Sequence, residues 1–157
     1  MVRRRNFFLL SLTLAAPALA APQSAGIFFG WGAFREGGRC WAVAEPDGAR
    51  GSPAYLTLSW VPARQVRGQL AIRFARPKRP GSAVLLRADE RTFQLIGGGA
   101  NAWAPDARAD AAIVAAMRTG VALSVETRSD TGGTMRDTYR LRGAASAIDA
   151  AAIACAR

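Results

Sequence analysis

Tyr55-Leu56-Thr57-Leu58-Ser59-Trp60 alternates with a period of two, which puts Leu56, Leu58 and Trp60 on one face of an extended segment and Tyr55, Thr57 and Ser59 on the other. Leu70, Ile72 and Phe74 repeat the pattern with Arg73 turned away, and Val121, Leu123 and Val125 repeat it against Ser124 and Glu126. These are the marks of half-buried strands. Ile27 to Phe34, Cys40 to Ala44, Ala83 to Leu86 and Thr92 to Ile96 are less regular strand candidates, and in Met135 to Leu141 the residues Met135, Tyr139 and Leu141 share a face. Gly37-Gly38, Asp47-Gly48, Pro80-Gly81, Gly97-Gly98-Gly99 and Gly132-Gly133 supply the turns between them. About eight short strands at this spacing predict a mostly-β domain, a sandwich or a barrel.

Two segments break the period. Ile113, Val114 and Met117 lie on one helical face, so a helix is expected over residues 110–119, capped by Asp110 and stopped at Gly120. A second helix is expected over residues 147–155, with Ser146 and Asp149 as a capping pair and Ile148, Ala151, Ala152 and Cys155 on the inner face. That phase turns Cys155 toward the body of the domain, where Cys40 on an early strand can meet it.

The first twenty residues read as an export signal. Arg3, Arg4 and Arg5 precede an apolar run from Phe7 to Ala16, and Ala18-Leu19-Ala20 has the small-x-small form that a signal peptidase cuts. The run is too short to span about 30 Å of hydrocarbon. Cleavage after Ala20 leaves a single domain, Ala21 to Arg157, in the periplasm or outside the cell. In such an oxidising compartment Cys40 and Cys155, the only cysteines, read as a disulfide. Closing so long a loop is worth about 4–5 kcal/mol in the chain-entropy model.

The chain carries 21 basic and 11 acidic residues, a net charge of +10, and Lys78 is its only lysine. Between Asp47 and Asp89 there is no acid, while Arg50, Arg64, Arg67, Arg73, Arg76, Lys78, Arg79 and Arg87 fall there. Arg64, Arg67, Arg73, Arg76, Lys78 and Arg79 are therefore a candidate anion-binding face, which concentrates anions near the protein. The plain alternative is a solvated sheet face that keeps the protein soluble. In an exported protein the anions on offer are lipid head groups, acidic glycans and acidic proteins; nucleic acid is not an expected partner. Peripheral association with the envelope is compatible with this charge, and the oligomeric state is left open.

Asp137 breaks a local rule, since it falls on the face of Met135 and Tyr139, and an unpaired buried carboxylate is costly. Arg118 is the expected partner, in a pair locking helix to strand. A carboxylate on the floor of a cleft, or a bulge that exposes Asp137, are the other readings. Trp31, Trp41, Trp60 and Trp103 are core residues or the lining of a sugar or peptide groove, and Trp103, between the glycine run and the first helix, is the one expected at the surface.

Catalytic chemistry is poorly served. The chain has no histidine, which removes Ser-His-Asp and Cys-His arrangements and the usual zinc sets. Gly97-Gly98-Gly99 lacks the lysine and following helix of a phosphate-binding loop. No spacing singles out a pair of carboxylates. No catalytic residue, metal or cofactor is expected.

Several stretches in order resemble the invasion-associated locus B family, exported proteins of alphaproteobacteria. They are Phe29-Gly30-Trp31-Gly32-Ala33-Phe34, Cys40-Trp41-Ala42-Val43-Ala44-Glu45-Pro46, Pro80-Gly81-Ser82, Ala102-Trp103-Ala104, Ala115-Ala116-Met117-Arg118-Thr119-Gly120 and Asp137-Thr138-Tyr139-Arg140-Leu141-Arg142-Gly143, followed by the alanine-rich stretch to Cys155. The resemblance spans nearly all of residues 21–157. It implies a β-sandwich-like domain in the periplasm or outer envelope, a link to host-cell entry in pathogenic members, and no accepted catalytic residue. Two departures bear on the surface: Arg128-Ser129-Asp130-Thr131-Gly132-Gly133 is longer and more acidic than the family's turn, and arginine is dense from Arg64 to Arg79. The expected function is a non-catalytic envelope or secreted protein that binds an envelope or host partner through its basic face. A structural or chaperone-like periplasmic module docking on a strand edge, and an enzyme of unfamiliar type, are the alternatives.

Overall fold

The computed structural model describes residues 21–49 and 51–156. The expected export signal, residues 1–20, lies outside them. Ten strands form one antiparallel sheet: β1 (Gln23–Phe28), β2 (Trp31–Glu36), β3 (Arg39–Ala44), β4 (Tyr55–Val61), β5 (Val66–Arg73), β6 (Val84–Ala88), β7 (Arg91–Gly98), β8 (Asn101–Trp103), β9 (Ala122–Arg128) and β10 (Thr134–Arg140). Their order across the sheet is β1-β2-β3-β4-β5-β8-β7-β6-β9-β10. Helix α1 (Ala107–Thr119) lies between β8 and β9, and α2 (Ala144–Ala156) ends the described chain.

The fold is mostly β as expected, but ten strands in one sheet replace the expected eight in a sandwich. Residues 27–34 are two strands, because Phe29-Gly30 makes a two-residue turn that lets Phe28 pair with Trp31. The other added strand is β8, too short to show a period. The two-layer description fails at β7, which pairs with β6 over Arg91–Leu95 and with β8 over Ile96–Gly98. One strand thus joins the halves that a sandwich keeps apart.

The sheet coils until its far edge meets its beginning. The Asp47 amide donates to the Thr138 carbonyl at 2.7 Å, and the Trp31 indole N–H donates to the Arg140 carbonyl at 2.9 Å. Arg140 and Asp47 add an ion pair at 3.2 Å. The inner face of the sheet and the buried faces of both helices make one core, in which Leu56, Leu58, Leu70, Ile72, Leu86, Leu123, Val125, Ile113 and Ile148 are sealed from solvent. Helix α2 packs on β1 to β4, and α1 packs on β5 and α2.

Small side chains set the α2 contact. Ala144, Ala147 and Ala151 face Ala33, Ala42 and Ala44 of β2 and β3 in the core, so helix and sheet approach closely. Where the chain enters α2, a Cβ on Gly143 would overlap the Phe28 carbonyl oxygen, and its φ of +92° is one that side chains rarely adopt. At the other end of the helix Cys155 joins Cys40 of β3 in the expected disulfide.

The helices start earlier than their expected bounds. Asp106, not Asp110, caps α1, accepting the Ala109 amide at 2.7 Å. Asp110 sits in the first turn, where its carboxylate accepts the Leu70 amide of β5 at 2.8 Å. Leu70 lies just beyond the pairing of β5 with β8, which begins at Ala71, so Asp110 takes the place of a strand partner. Ser146 and Asp149 do not cap α2, which is already helical from Ala144; Asp149 instead meets Arg118 across the two helices.

Replacing both cysteines by serine should lower stability by on the order of 3–5 kcal/mol in urea titrations. The native chain in a thiol reductant should fall by a similar amount, and a change below about 1 kcal/mol would show that core packing alone seats α2.

Candidate functional site

The glycine run of residues 97–99 organises the one region where two kinds of expected site residue meet. Gly97 is half-buried, and a Cβ there would stand 2.8 Å from the Lys78 side chain and 2.9 Å from Val84. Gly98 lies under Trp103: its Cβ would stand 3.7 Å from the far edge of the indole. Trp103 therefore leans across the neighbouring strand, 41% exposed on the outer face. The register places Trp103 opposite Ala71 and Ile96, and Asn101 opposite Arg73 and Gly98. Arg73 donates to the Asn101 side-chain oxygen at 3.4 Å and lies opposite Tyr55 of β4. Tyr55, Arg73, Asn101 and Trp103 thus form a platform of two aromatic rings, an amide and a guanidinium.

A strap holds the next two arginines beside it. The Phe74 amide donates to the Ala100 carbonyl, the Lys78 amide to Gly99, the Arg79 amide to Arg128, and the Asp130 amide to Pro77, each at 2.8–3.1 Å. The unusual segment 128–133 therefore serves to fasten residues 77–79, and Arg76 and Arg79 are presented to solvent from a backbone tied on both sides. None of β4, β5, β7 and β8 carries an acidic residue.

The expected basic face is thus divided. Arg73, Arg76 and Arg79 gather at the platform end. Arg64, in the turn between β4 and β5, and Arg67, opposite Trp60, are exposed at the other end of β5, about 20 Å away at the rise of an extended strand. Arg39, also near that end, lies over the Trp41 ring at 5.1 Å, and Trp41 stacks on Phe34. Lys78 leaves the set altogether. It is only 6% exposed, and its ammonium donates to the Arg79 carbonyl at 2.9 Å, because the glycine at position 97 leaves room for its stem under the sheet.

The expected pair of Asp137 with Arg118 does not form. Arg118 binds Asp149 at 2.6 Å, a helix-to-helix contact whose partners are both partly exposed. Asp137 does lie on the inner face of β10, flanked by Met135 and Tyr139, where the alternation put it. No ion pair or hydrogen bond engages its carboxylate among the described residues. Burial raises its carboxyl above the ordinary aspartate range. Burial, with the nearby charge of Asp137, pushes the Tyr139 phenol far up, and its hydroxyl has no partner among the described residues. Asp110 is also raised, chiefly by burial and slightly by Asp106, against the lowering effect of the Leu70 amide. These groups are spread over α1 and β10. No cluster of three or more cysteine, aspartate or glutamate side chains is placed to hold a metal among the described residues.

Trp31 is core, Trp41 and Trp60 are half-buried, and Trp103 is the exposed one, as its place beside the glycine run foretold. Sequence reading missed Tyr55, which the alternation placed outward but whose partnership with Arg73 depends on register, and Asn101, which lies in the short β8.

Fold and surface together define a small, disulfide-closed, single-sheet β protein with an exposed arginine–aromatic platform. The fold is shared with the crystal structure of invasion associated protein b from Bartonella henselae, at a TM-score of 0.61 and 15% identity, over 88% of this chain and 100% of that one. At that identity the likeness is one of fold. The sequence matches no family model. It matches no curated protein either.

Because the folded value of Asp137 lies above its unfolded one, the folded state holds this proton more tightly. The stability tied to this group is fullest below the unfolded value of about pH 3.9 and falls as pH rises through the folded value. Asp137→Asn should therefore raise the melting temperature at pH 7 and flatten its decline from mildly acidic to neutral pH. A lower melting temperature for the variant at pH 7 would mean that the carboxylate has an ionic partner in solution.

Proposed function

We propose that this chain is an exported, non-catalytic protein, distantly related to the invasion-associated locus B proteins, that binds an anionic envelope or host component through the arginines beside Trp103. The observation that carries the reading is the platform itself. Arg73, Arg76 and Arg79 project from backbone that strands and strap hold in place, beside two exposed rings, on strands that carry no acid. A site fixed before its ligand arrives loses less entropy on binding, and a local excess of positive charge speeds the encounter with anions. The fold shared with invasion associated protein b supports the relationship, and the amino-terminal pattern supports export.

Binding to vesicles containing an anionic phospholipid, or to lipopolysaccharide, should weaken steeply as salt rises from about 0.05 to 0.5 M, where the screening length shrinks several-fold. The triple variant R73E/R76E/R79E should bind at least about tenfold more weakly, whereas R64E/R67E should lose less. Affinity that is indifferent to salt and to the triple reversal would overturn the reading.

A further inference from the structure

We propose that the ligand of the platform is an acidic glycan, its sugar ring seated on Trp103 and its carboxylates taken by Arg73 and the strap arginines. This inference rests on the basic-face reading above and gives that face a ligand.

Three features select a glycan among anions. The first is the posture of Trp103. The far edge of its indole leans toward Gly98 of the neighbouring strand while the side chain remains 41% exposed, so the ring is held near the sheet and open to solvent. The C–H-bearing face of a pyranose is flat and weakly positive, and it stacks on the electron-rich face of an indole. A Cβ at position 98 would stand in ordinary contact with the ring edge, 3.7 Å away, so the indole leans close over the neighbouring strand.

The second feature is the set of polar groups within reach. Arg73 uses one N–H on the Asn101 side-chain oxygen. A guanidinium has five N–H donors, so the rest of its fork remains to meet a carboxylate in two parallel bonds. The Asn101 amide N–H and the Tyr55 hydroxyl have no partner among the described residues, and they match the hydroxyl groups of a sugar. An anion recognised by charge alone needs neither of them.

The third feature concerns a lipid surface. An aromatic side chain that anchors a protein to a bilayer must project beyond its surroundings, and Trp103 leans toward Gly98 of the neighbouring strand. The most exposed aromatic side chain among the described residues is Phe29, 67% exposed in the turn between β1 and β2 with the Arg142 guanidinium over its ring. It borders a cleft of about 240 Å³ in which Glu45 and Asp47 are balanced by Arg140 and Arg142, with Arg140 paired to Asp47. That aromatic and the strap arginines thus belong to different parts of the molecule.

The test measures the full chain against three anions: polygalacturonate as an acidic glycan, polyglutamate as a polyanion without sugar rings, and phosphatidylglycerol vesicles. Polygalacturonate should bind most tightly and shift the tryptophan emission. Trp103→Ala should weaken it about tenfold and leave polyglutamate unchanged, while Trp103→Phe, which keeps a ring, should retain most of the affinity. Circular dichroism of each variant confirms the fold, and Asn101→Ala gives a second route that leaves Trp103 untouched and should lower glycan affinity alone. Polygalacturonate binding that survives Trp103→Ala at full strength would overturn the proposal. So would polyglutamate or the vesicles binding where polygalacturonate does not; in both cases the basic-face reading stands. Failure of all three anions to bind would overturn both.

Discussion

The covalent tie between Cys40 and Cys155 fixes the end of α2 against the first strands of a sheet that has no second layer of its own on that side. The sheet begins with β1, β2 and β3, whose inner residues are mostly alanine, and such a surface cannot fill a core unless a helix comes close to it. Alanines on α2 let the helix approach, glycine at position 143 lets the chain enter it past Phe28, and the disulfide holds the far end. Packing gains from alanine are small per residue, since little apolar area is buried by each. A long closed loop compensates by limiting what the unfolded chain can do.

From that seat the rest follows along the sheet. With α2 in place, β4 and β5 receive α1, and Asp110 supplies the acceptor that β8 is too short to give to Leu70. A short β8 in turn leaves the glycine run of residues 97–99 free to turn back beside β5, which brings Trp103, Asn101 and Arg73 together. The opposite edge is finished by Trp31 and Asp47, which hydrogen-bond the backbone of β10. That edge strand thereby has fewer free backbone groups to pair with another chain. The arginine–aromatic platform and the closure of the sheet are thus separate parts of one arrangement, and Arg73, Arg76 and Arg79 are exposed outside the core.

How much could be read from the sequence depended on the range of the signal. Alternation at Leu56, Leu58 and Trp60, or at Leu123 and Val125, is local, and those residues face inward as their period required, whereas Val121, read with the latter pair, precedes β9 and is 78% exposed. The pairing of Cys40 with Cys155 was legible because only two cysteines exist and the helical phase aimed one of them inward. Phe29-Gly30 hid a turn, since a phenylalanine with positive φ is not a turn signal. Asp106 and Asp110 both lie where a helix can begin, and only the position of Leu70 separates their roles. Arg118 and Asp149 meet through the packing of two helices, and Lys78 is buried by a strap tied to Gly99 and Arg128. Such contacts depend on register and crossing geometry, which no local pattern records.

Hydrogen exchange on the oxidised and the reduced protein, resolved by segment, tests the central role of the α2 seat. On reduction, Ala144–Ala156 and strands β2 and β3 should lose protection together, while β6, β9 and α1 keep most of theirs. Protection of α2 that is the same in both forms, or its loss without any change in β2 and β3, would contradict the account.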